Sequence, residues 1–156
     1  MTDPKRILLV EDSKNDVELI LQALEENRLA NQVMVLRDGA EALDFLFHRG
    51  QFDDHANRLP VLVLLDLKMP KVDGLEVLRQ MKADPVLKKI PVVMMTSSRE
   101  QSDLLRSYEL GVNSYVVKPV KFQGFVEAVK QLGIYWILVN EPPPGSAPSP
   151  KTKASA

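Results

Sequence analysis

Short apolar runs alternate along this chain with longer segments whose apolar residues recur every three or four positions. Arg6 to Val10 is a compact apolar run, as are Gln32 to Leu36 (more weakly), Val61 to Leu65, Val92 to Met95 and Tyr115 to Val117. Runs of this length bounded by turn residues read as strands buried on both faces of a parallel sheet. Pro91 opens the fourth run, a place where proline is tolerated. Between the runs lie amphipathic segments. Asn15 to Asn27 carries Val17, Ile20, Leu21 and Leu24 at i, i+3, i+4 and i+7 spacing, which predicts a helix. Asp38-Gly39 starts a second, with Leu43, Leu46 and Phe47 on one side, ending near Gly50. Leu75, Leu78 and Met81 mark a third after Gly74. Glu100 to Leu110, stopped by Gly111, is a fourth.

The last helix is expected to run from Lys121 to about Val139. Phe122, Val126, Val129 and Leu132 form its inward stripe, and Ile134 to Val139 is apolar all round. Residues 51–59 form a polar, acidic loop. Residues 140–156 hold five prolines among small residues and no large apolar group, so they cannot build a core. The division is therefore a folded domain over 1–139 and a proline-rich tail over 140–156. Strict strand–helix alternation, five times over, predicts an α/β fold, (βα)5, with parallel strands and right-handed crossovers.

Length and charge narrow the class. One chain of 156 residues is one domain with a real core. Twenty Lys and Arg against 21 Asp and Glu give a net charge of -1, which offers no electrostatic case for nucleic acid or for a membrane surface. No cysteine is present, so disulfides and thiolate metal sites are excluded. The N-terminus reads as neither signal peptide nor span, and the expected location is the cytoplasm.

Chemistry is concentrated where the strands end. Open α/β sheets bind and react just outside the carboxyl ends of their strands. In the doubly wound, flavodoxin-like order 2-1-3-4-5, strands 1 and 3 are neighbours. Asp66 would then stand beside Glu11-Asp12, and three crowded carboxylates call for a cation or a proton. Mg²⁺, which takes one or two carboxylates with waters and phosphate oxygens, suits them. Glu11-Asp12 also reads as helix capping, with Asp12 or Ser13 as N-cap. Ser97 and Glu100 have capping-box spacing, which leaves Thr96 free to donate to a phosphoryl oxygen. Lys118 before Pro119 reads as a surface lysine or as a cation reaching into the carboxylates. Removing Thr96 or Lys118 is expected to cost no more than roughly 1–2 kcal/mol, since both sit at strand ends.

Taken together, ILLVEDSKNDVELI, LLDLKMPKVDGLEVL, PVVMMTSS and YVVKPV resemble the receiver domain of two-component response regulators, over residues 5 to about 135. The resemblance implies that Asp66 is the phosphoacceptor, taking a phosphoryl group from a phosphohistidine of a sensor histidine kinase. Glu11 and Asp12 become metal acids for Mg²⁺, together with Asp66 and the backbone carbonyl of Lys68. Thr96 turns its hydroxyl onto the phosphoryl oxygen. Lys118 pairs with Asp66 and then with the phosphoryl group, its peptide to Pro119 being cis. Tyr115 is the switch aromatic that moves inward with Thr96. Lys68 and Ser98 flank the attacking water. His48 and His55 are ordinary surface residues. Such a protein is not an enzyme on a separate substrate; its own phosphotransfer and autodephosphorylation are its only chemistry.

The chain after the last helix offers only the tail, so no DNA-binding output domain is expected and output passes through protein–protein contacts. The 51–59 loop and the WILVNEPPP end are similar to the small regulators paired with phytochrome-type kinases. A homodimer is expected on helix 4, strand 5, helix 5 and the segment after it, with Tyr135, Trp136, Ile137 and Leu138 as interface anchors, because an exposed apolar stretch of that kind marks an interaction site. The opposing expectation is that helix 5 ends near Gly133 and the rest folds over its own domain.

Three alternatives stay open at this point. A haloacid-dehalogenase phosphatase uses Asp, Thr/Ser and Lys in this order, but needs a second acid where Lys68 stands and its acid pair after the lysine. A flavodoxin-like FMN binder needs a hydroxyl- and glycine-rich loop after strand 1, where EDSKND is acidic. A pseudo-receiver scaffold lacks phosphorylation, although all five key residues are present here.

Overall fold

The computed structural model describes residues 7–25, 29–52, 59–96, 106–135 and 138. Five parallel strands form one sheet in the order β2-β1-β3-β4-β5, with β1 at Ile7–Val10, β2 at Val33–Leu36, β3 at Leu62–Asp66, β4 at Val92–Thr96 and β5 at Ser114–Val117. Helices are α1 (Lys14–Leu24), α2 (Gly39–Leu46), α3 (Gly74–Ala83), α4 over residues 106–109, and α5 (Phe122–Gln131). The doubly wound order expected from the sequence is the one observed. No described helix is long and apolar enough to cross a membrane.

The near-continuous apolar strands are explained by two cores, one on each face. Successive side chains point to opposite faces. Leu8, Val10, Val63, Leu65, Val92 and Met94 face Leu43 and Leu46 of α2 and Val77, Leu78 and Met81 of α3. Ile7, Leu9, Leu62, Leu64, Val93 and Met95 face Ile20 and Leu24 of α1 and Phe125 and Val129 of α5. Each face is closed by a different pair of helices, so β1, β3 and β4 have no polar side to spare.

The helices start where the sequence caps them. Ser13 Oγ accepts from the Asp16 N–H at 3.2 Å, Asp38 Oδ1 from Glu41 N–H at 2.7 Å, and Asp73 Oδ1 from Glu76 N–H at 3.0 Å. Ser13, and not Asp12, is thus the cap of α1. Gly74 is required by close approach: a Cβ there would lie 2.3 Å from the Asp66 carbonyl oxygen, so the start of α3 rests on the backbone of Asp66.

Boundaries differ from expectation in three places. Helix α1 ends at Leu24 and α2 at Leu46. A 3₁₀ turn at Gly50–Phe52 then packs the Phe52 ring edge-on against Phe45, 5.4 Å between centroids, so the acidic loop begins with a half-buried anchor. The larger correction is at the C-terminus. Helix α5 stops at Gln131 and does not continue to Val139. Gly133 adopts φ +73°, the left-handed residue that closes a helix, and its N–H donates to the Lys130 carbonyl. The chain beyond it turns onto its own domain: Leu138 is 2% exposed and packs in the α1/α5 core, with Ile134 and Tyr135 against the same core. The Gln32 side-chain amide donates to the Leu138 carbonyl at 3.1 Å. Trp136, Ile137, residues 53–58, residues 97–105 (which include the expected start of the fourth helix at Glu100) and residues 139–156 lie outside the described residues.

Candidate functional site

The register of the sheet assembles the site. Val10 pairs with Leu65, Asp66 with Met95 and Thr96 with Val117. Glu11, Asp66, Thr96 and Lys118 therefore occupy neighbouring levels at the carboxyl ends of β1, β3, β4 and β5. Leu67 N–H donates to the Met95 carbonyl and Lys118 N–H to the Thr96 carbonyl, each at 2.8 Å, which fixes the last residues of these strands against one another.

Three carboxylates converge. Glu11, Asp12 and Asp66 place one ligand oxygen each within 4.8 Å of one another. Glu11 is wholly buried and Asp66 is 4% exposed, while Asp12 is exposed. The Glu11 turn is held from both sides. Its N–H donates to the Leu36 carbonyl, its Oε2 accepts from Ser13 N–H at 3.1 Å, and the Arg37 guanidinium donates to the Asp12 carbonyl at 2.9 Å. Lys118 enters from β5. Its Nζ lies 2.5 Å from Glu11 Oε1, 3.1 Å from Asp66 Oδ1 and 3.1 Å from Asp16 Oδ2. The peptide joining it to Pro119 is cis.

Electrostatics follow from this crowding. Burial, then the hydrogen bond and the charge of Glu11, push the Asp66 carboxyl up to about 7, and Lys118 only partly opposes them. For Lys118, burial works against the charge, but Glu11, Asp66 and Asp16 outweigh it and hold the ammonium above its ordinary value. Three carboxylates thus face one ammonium, and a fourth, Asp12, lies beside Glu11 and Asp66. The missing charge is positive, and an all-oxygen donor set of this size fits a hard divalent cation.

The remaining residues named from the sequence are distributed as follows. Thr96 is buried at the end of β4. Lys68 is exposed two residues past Asp66, on the loop leading to α3. Tyr115 points outward from β5, 38% exposed, with its ring edge-on to Tyr108 at 6.2 Å. His48 sits in the turn after α2, away from the site, at φ +53°. His55, Ser97 and Ser98 lie outside the described residues. Of the expected interface anchors, Leu138 is buried in its own domain and Tyr135 is half-buried there, with the Lys130 ammonium 5.2 Å from its ring centroid. Leu138 is therefore not a surface anchor: the turn at Gly133 directs it inward.

Two residues that touch the site were not singled out from the sequence. Asp16 reads there as an ordinary acid in the first turn of a helix. Arg37 follows β2 and carries no motif. Each becomes visible only when strands far apart in sequence are brought side by side.

Comparison with known proteins agrees with this geometry. A family model for the response regulator receiver domain matches residues 7–130. Response regulator Rcp1 of Synechocystis sp. is 41% identical over 134 residues, 86% of this chain and 90% of Rcp1. The bacteriophytochrome response regulator AtBRR superposes with a TM-score of 0.79 at 57% identity, covering 89% of this chain and 99% of AtBRR. The Mn²⁺-bound form of Rcp1 superposes with a TM-score of 0.69 at 39% identity, covering 94% of this chain and 100% of that one.

Proposed function

The chain belongs to the response regulator receiver family and is related to the phytochrome response regulators, and from that premise we propose that it accepts a phosphoryl group on Asp66 from a phosphohistidine of a phytochrome-type sensor histidine kinase. The observation that carries this reading is the convergence on Asp66 of Glu11, Asp12 and Lys118. Membership of this family also sets aside the phosphatase and FMN-binding alternatives.

Asp66 supplies the attacking carboxylate oxygen. A new O–P bond forms as the P–N bond to the donor imidazole breaks, and the imidazole nitrogen keeps the electron pair. Glu11, Asp12 and Asp66, with the Lys68 carbonyl, would hold Mg²⁺, which supplies positive charge to the transferring phosphoryl. That Rcp1 forms a Mn²⁺-bound state supports a divalent ion at these acids. Such an ion also favours the ionised Asp66, whose carboxyl burial and Glu11 push up to about 7. Lys118 shifts from Asp66 to a phosphoryl oxygen, and Thr96 donates its hydroxyl to another. The space that Thr96 vacates admits Tyr115, whose outward position is that of the unphosphorylated state. Phosphorylation thereby shifts a two-state population on the face made by α4, β5 and α5.

Output by protein contact and a homodimer on that face complete the reading. The exposed Tyr108 and Tyr115 rings support it, as does a cleft of about 380 Å³ between β5 and α5.

The test is intact-protein mass after incubation with acetyl phosphate and Mg²⁺. The expected result is one added phosphoryl group, absent with chelator and absent in Asp66→Asn. No added mass in the parent protein leaves a pseudo-receiver scaffold. Sustained turnover of small phosphomonoesters would overturn the receiver chemistry altogether.

A further inference from the structure

Lys118 is held by one carboxylate more than the phosphotransfer uses. Its ammonium stands at ion-pair distance from three acids, Glu11 Oε1 at 2.5 Å, Asp66 Oδ1 at 3.1 Å and Asp16 Oδ2 at 3.1 Å, and it donates a hydrogen bond to the Asp16 carboxylate. These acids are not equivalent. The Glu11 and Asp66 side chains are 0% and 6% exposed and lie on the floor of the site. The Asp16 side chain is 31% exposed and reaches the lysine from the first turn of α1. Two 3.1 Å contacts in series through Nζ put the Asp16 carboxylate no more than about 6 Å from the nucleophilic oxygen.

We infer that Asp16 is a positioning residue that shares Lys118 with Asp66 and limits how strongly the phosphorylated site is held. The inference rests on the phosphoacceptor reading of Asp66. Once a phosphoryl group is in place, Lys118 must turn its N–H donors toward a phosphoryl oxygen. Asp16 is a competing acceptor that draws the ammonium toward α1. It is also a negative charge facing a negatively charged group at short range in a partly desolvated site. Competition and repulsion act in the same direction, so removing the charge favours the phosphorylated state. A merely structural acid at the start of α1 predicts something different: its loss weakens the helix and leaves the site's ligand affinity unchanged.

The experiment titrates the full chain with beryllofluoride in saturating Mg²⁺, reads bound fluoride by ¹⁹F NMR, and records a urea midpoint for each variant in parallel. Like charges about 6 Å apart, one of them part-exposed, repel enough for roughly a 3- to 10-fold change in affinity. Asp16→Asn is expected to bind beryllofluoride that much more tightly, and Asp16→Glu, which keeps the charge, to bind within about twofold of the parent. Unchanged or weaker binding by Asp16→Asn in a folded protein would overturn the inference. So would tight binding by Asp16→Glu, because the charge would then not be the cause. Failure of the parent itself to bind beryllofluoride would show as a missing signal in every variant, and would overturn the phosphoacceptor reading together with this one.

Discussion

Lys118 and Glu11 form the tightest ion pair of the site, Nζ to Oε1 at 2.5 Å, shorter than the 3.1 Å contact between Lys118 and Asp66. The lysine is therefore held closest to Glu11 and shared with Asp66. Glu11 is wholly buried and the Lys118 side chain is only 12% exposed, and that changes what the lysine is worth. Removing one member of a buried pair leaves an uncompensated charge.

Lys118→Ala should accordingly destabilise the metal-free protein by about 3 kcal/mol, more than its position at a strand end suggested from the sequence. Thr96→Ala, which leaves no buried charge behind, should cost no more than about 1–2 kcal/mol. Millimolar Mg²⁺ should return most of the loss in Lys118→Ala, because a cation bound only by the folded state stabilises it by mass action. Urea midpoints in chelator and in Mg²⁺ measure both quantities. Equal losses in the two variants, or a Lys118→Ala loss that ignores Mg²⁺, would contradict the arrangement.

Asp66 sets a pH dependence whose sign follows from its displaced carboxyl. The folded protein holds the proton up to about 7, whereas the ordinary value is 3.8. Below the lower value both states are protonated and the folded state carries no penalty. As pH rises through the upper value, the folded state must carry a buried carboxylate beside Glu11. Metal-free stability is thus lost progressively between about pH 4 and 7, by an amount on the order of a few kcal/mol. Asp66→Asn should flatten that slope relative to the parent, and Mg²⁺ should flatten it in the parent. A parallel pH profile for the two proteins in chelator would count against the buried, Glu11-coupled carboxyl.

The sequence made the strand ends legible because each apolar run stops at a polar residue, and parallel topology sends all those ends to one edge. Glu11, Asp66, Thr96 and Lys118 are brought together by that rule alone. Asp16 escaped it. Its partner is 102 residues away, and the contact depends on β5 lying across from the start of α1. The end of α5 was misread for a different reason. Ile134 to Val139 is apolar enough to extend a helix, and that pattern outweighed Gly133. Lys130 in the last turn, followed by a glycine just past it, is a stop signal that was present in the sequence.

Tyr115 gives a test of the proposed switch. Its ring lies edge-on to Tyr108 and is 38% exposed. Beryllofluoride with Mg²⁺ should bury the ring and abolish that contact. The chain has three tyrosines, so ¹⁹F NMR of fluorotyrosine-labelled protein resolves the change, with assignment by Tyr115→Phe. Thr96→Ala should still bind beryllofluoride, yet leave the Tyr115 resonance where it was. A full shift in Thr96→Ala would separate the aromatic from the threonine and end the coupled description.

The segment after Gly133 divides into residues that serve the domain and residues assigned to a partner, and the two are separable by experiment. Leu138 is buried against the α1/α5 core, and its carbonyl accepts from the Gln32 side chain. Leu138→Ala removes a packed side chain and should cost about 2–3 kcal/mol. Gln32→Ala removes one hydrogen bond and should cost about 1 kcal/mol. Neither should alter the oligomeric state. Trp136, assigned from the sequence to the homodimer surface, is expected to behave in the opposite way: Trp136→Glu should convert a dimer at tens of micromolar to a monomer without moving the denaturation midpoint measured on the monomer. Truncation after Gly133 should lose both properties at once, since it removes the core plug and the anchor together. Light scattering and urea midpoints on the four variants and the parent test the separation. A monomeric parent, with and without beryllofluoride, would remove the homodimer and assign the exposed Tyr108 and Tyr115 rings to a different protein partner. A Leu138→Ala variant as stable as the parent would mean that the segment merely rests on the domain and contributes nothing to holding α5 against the sheet.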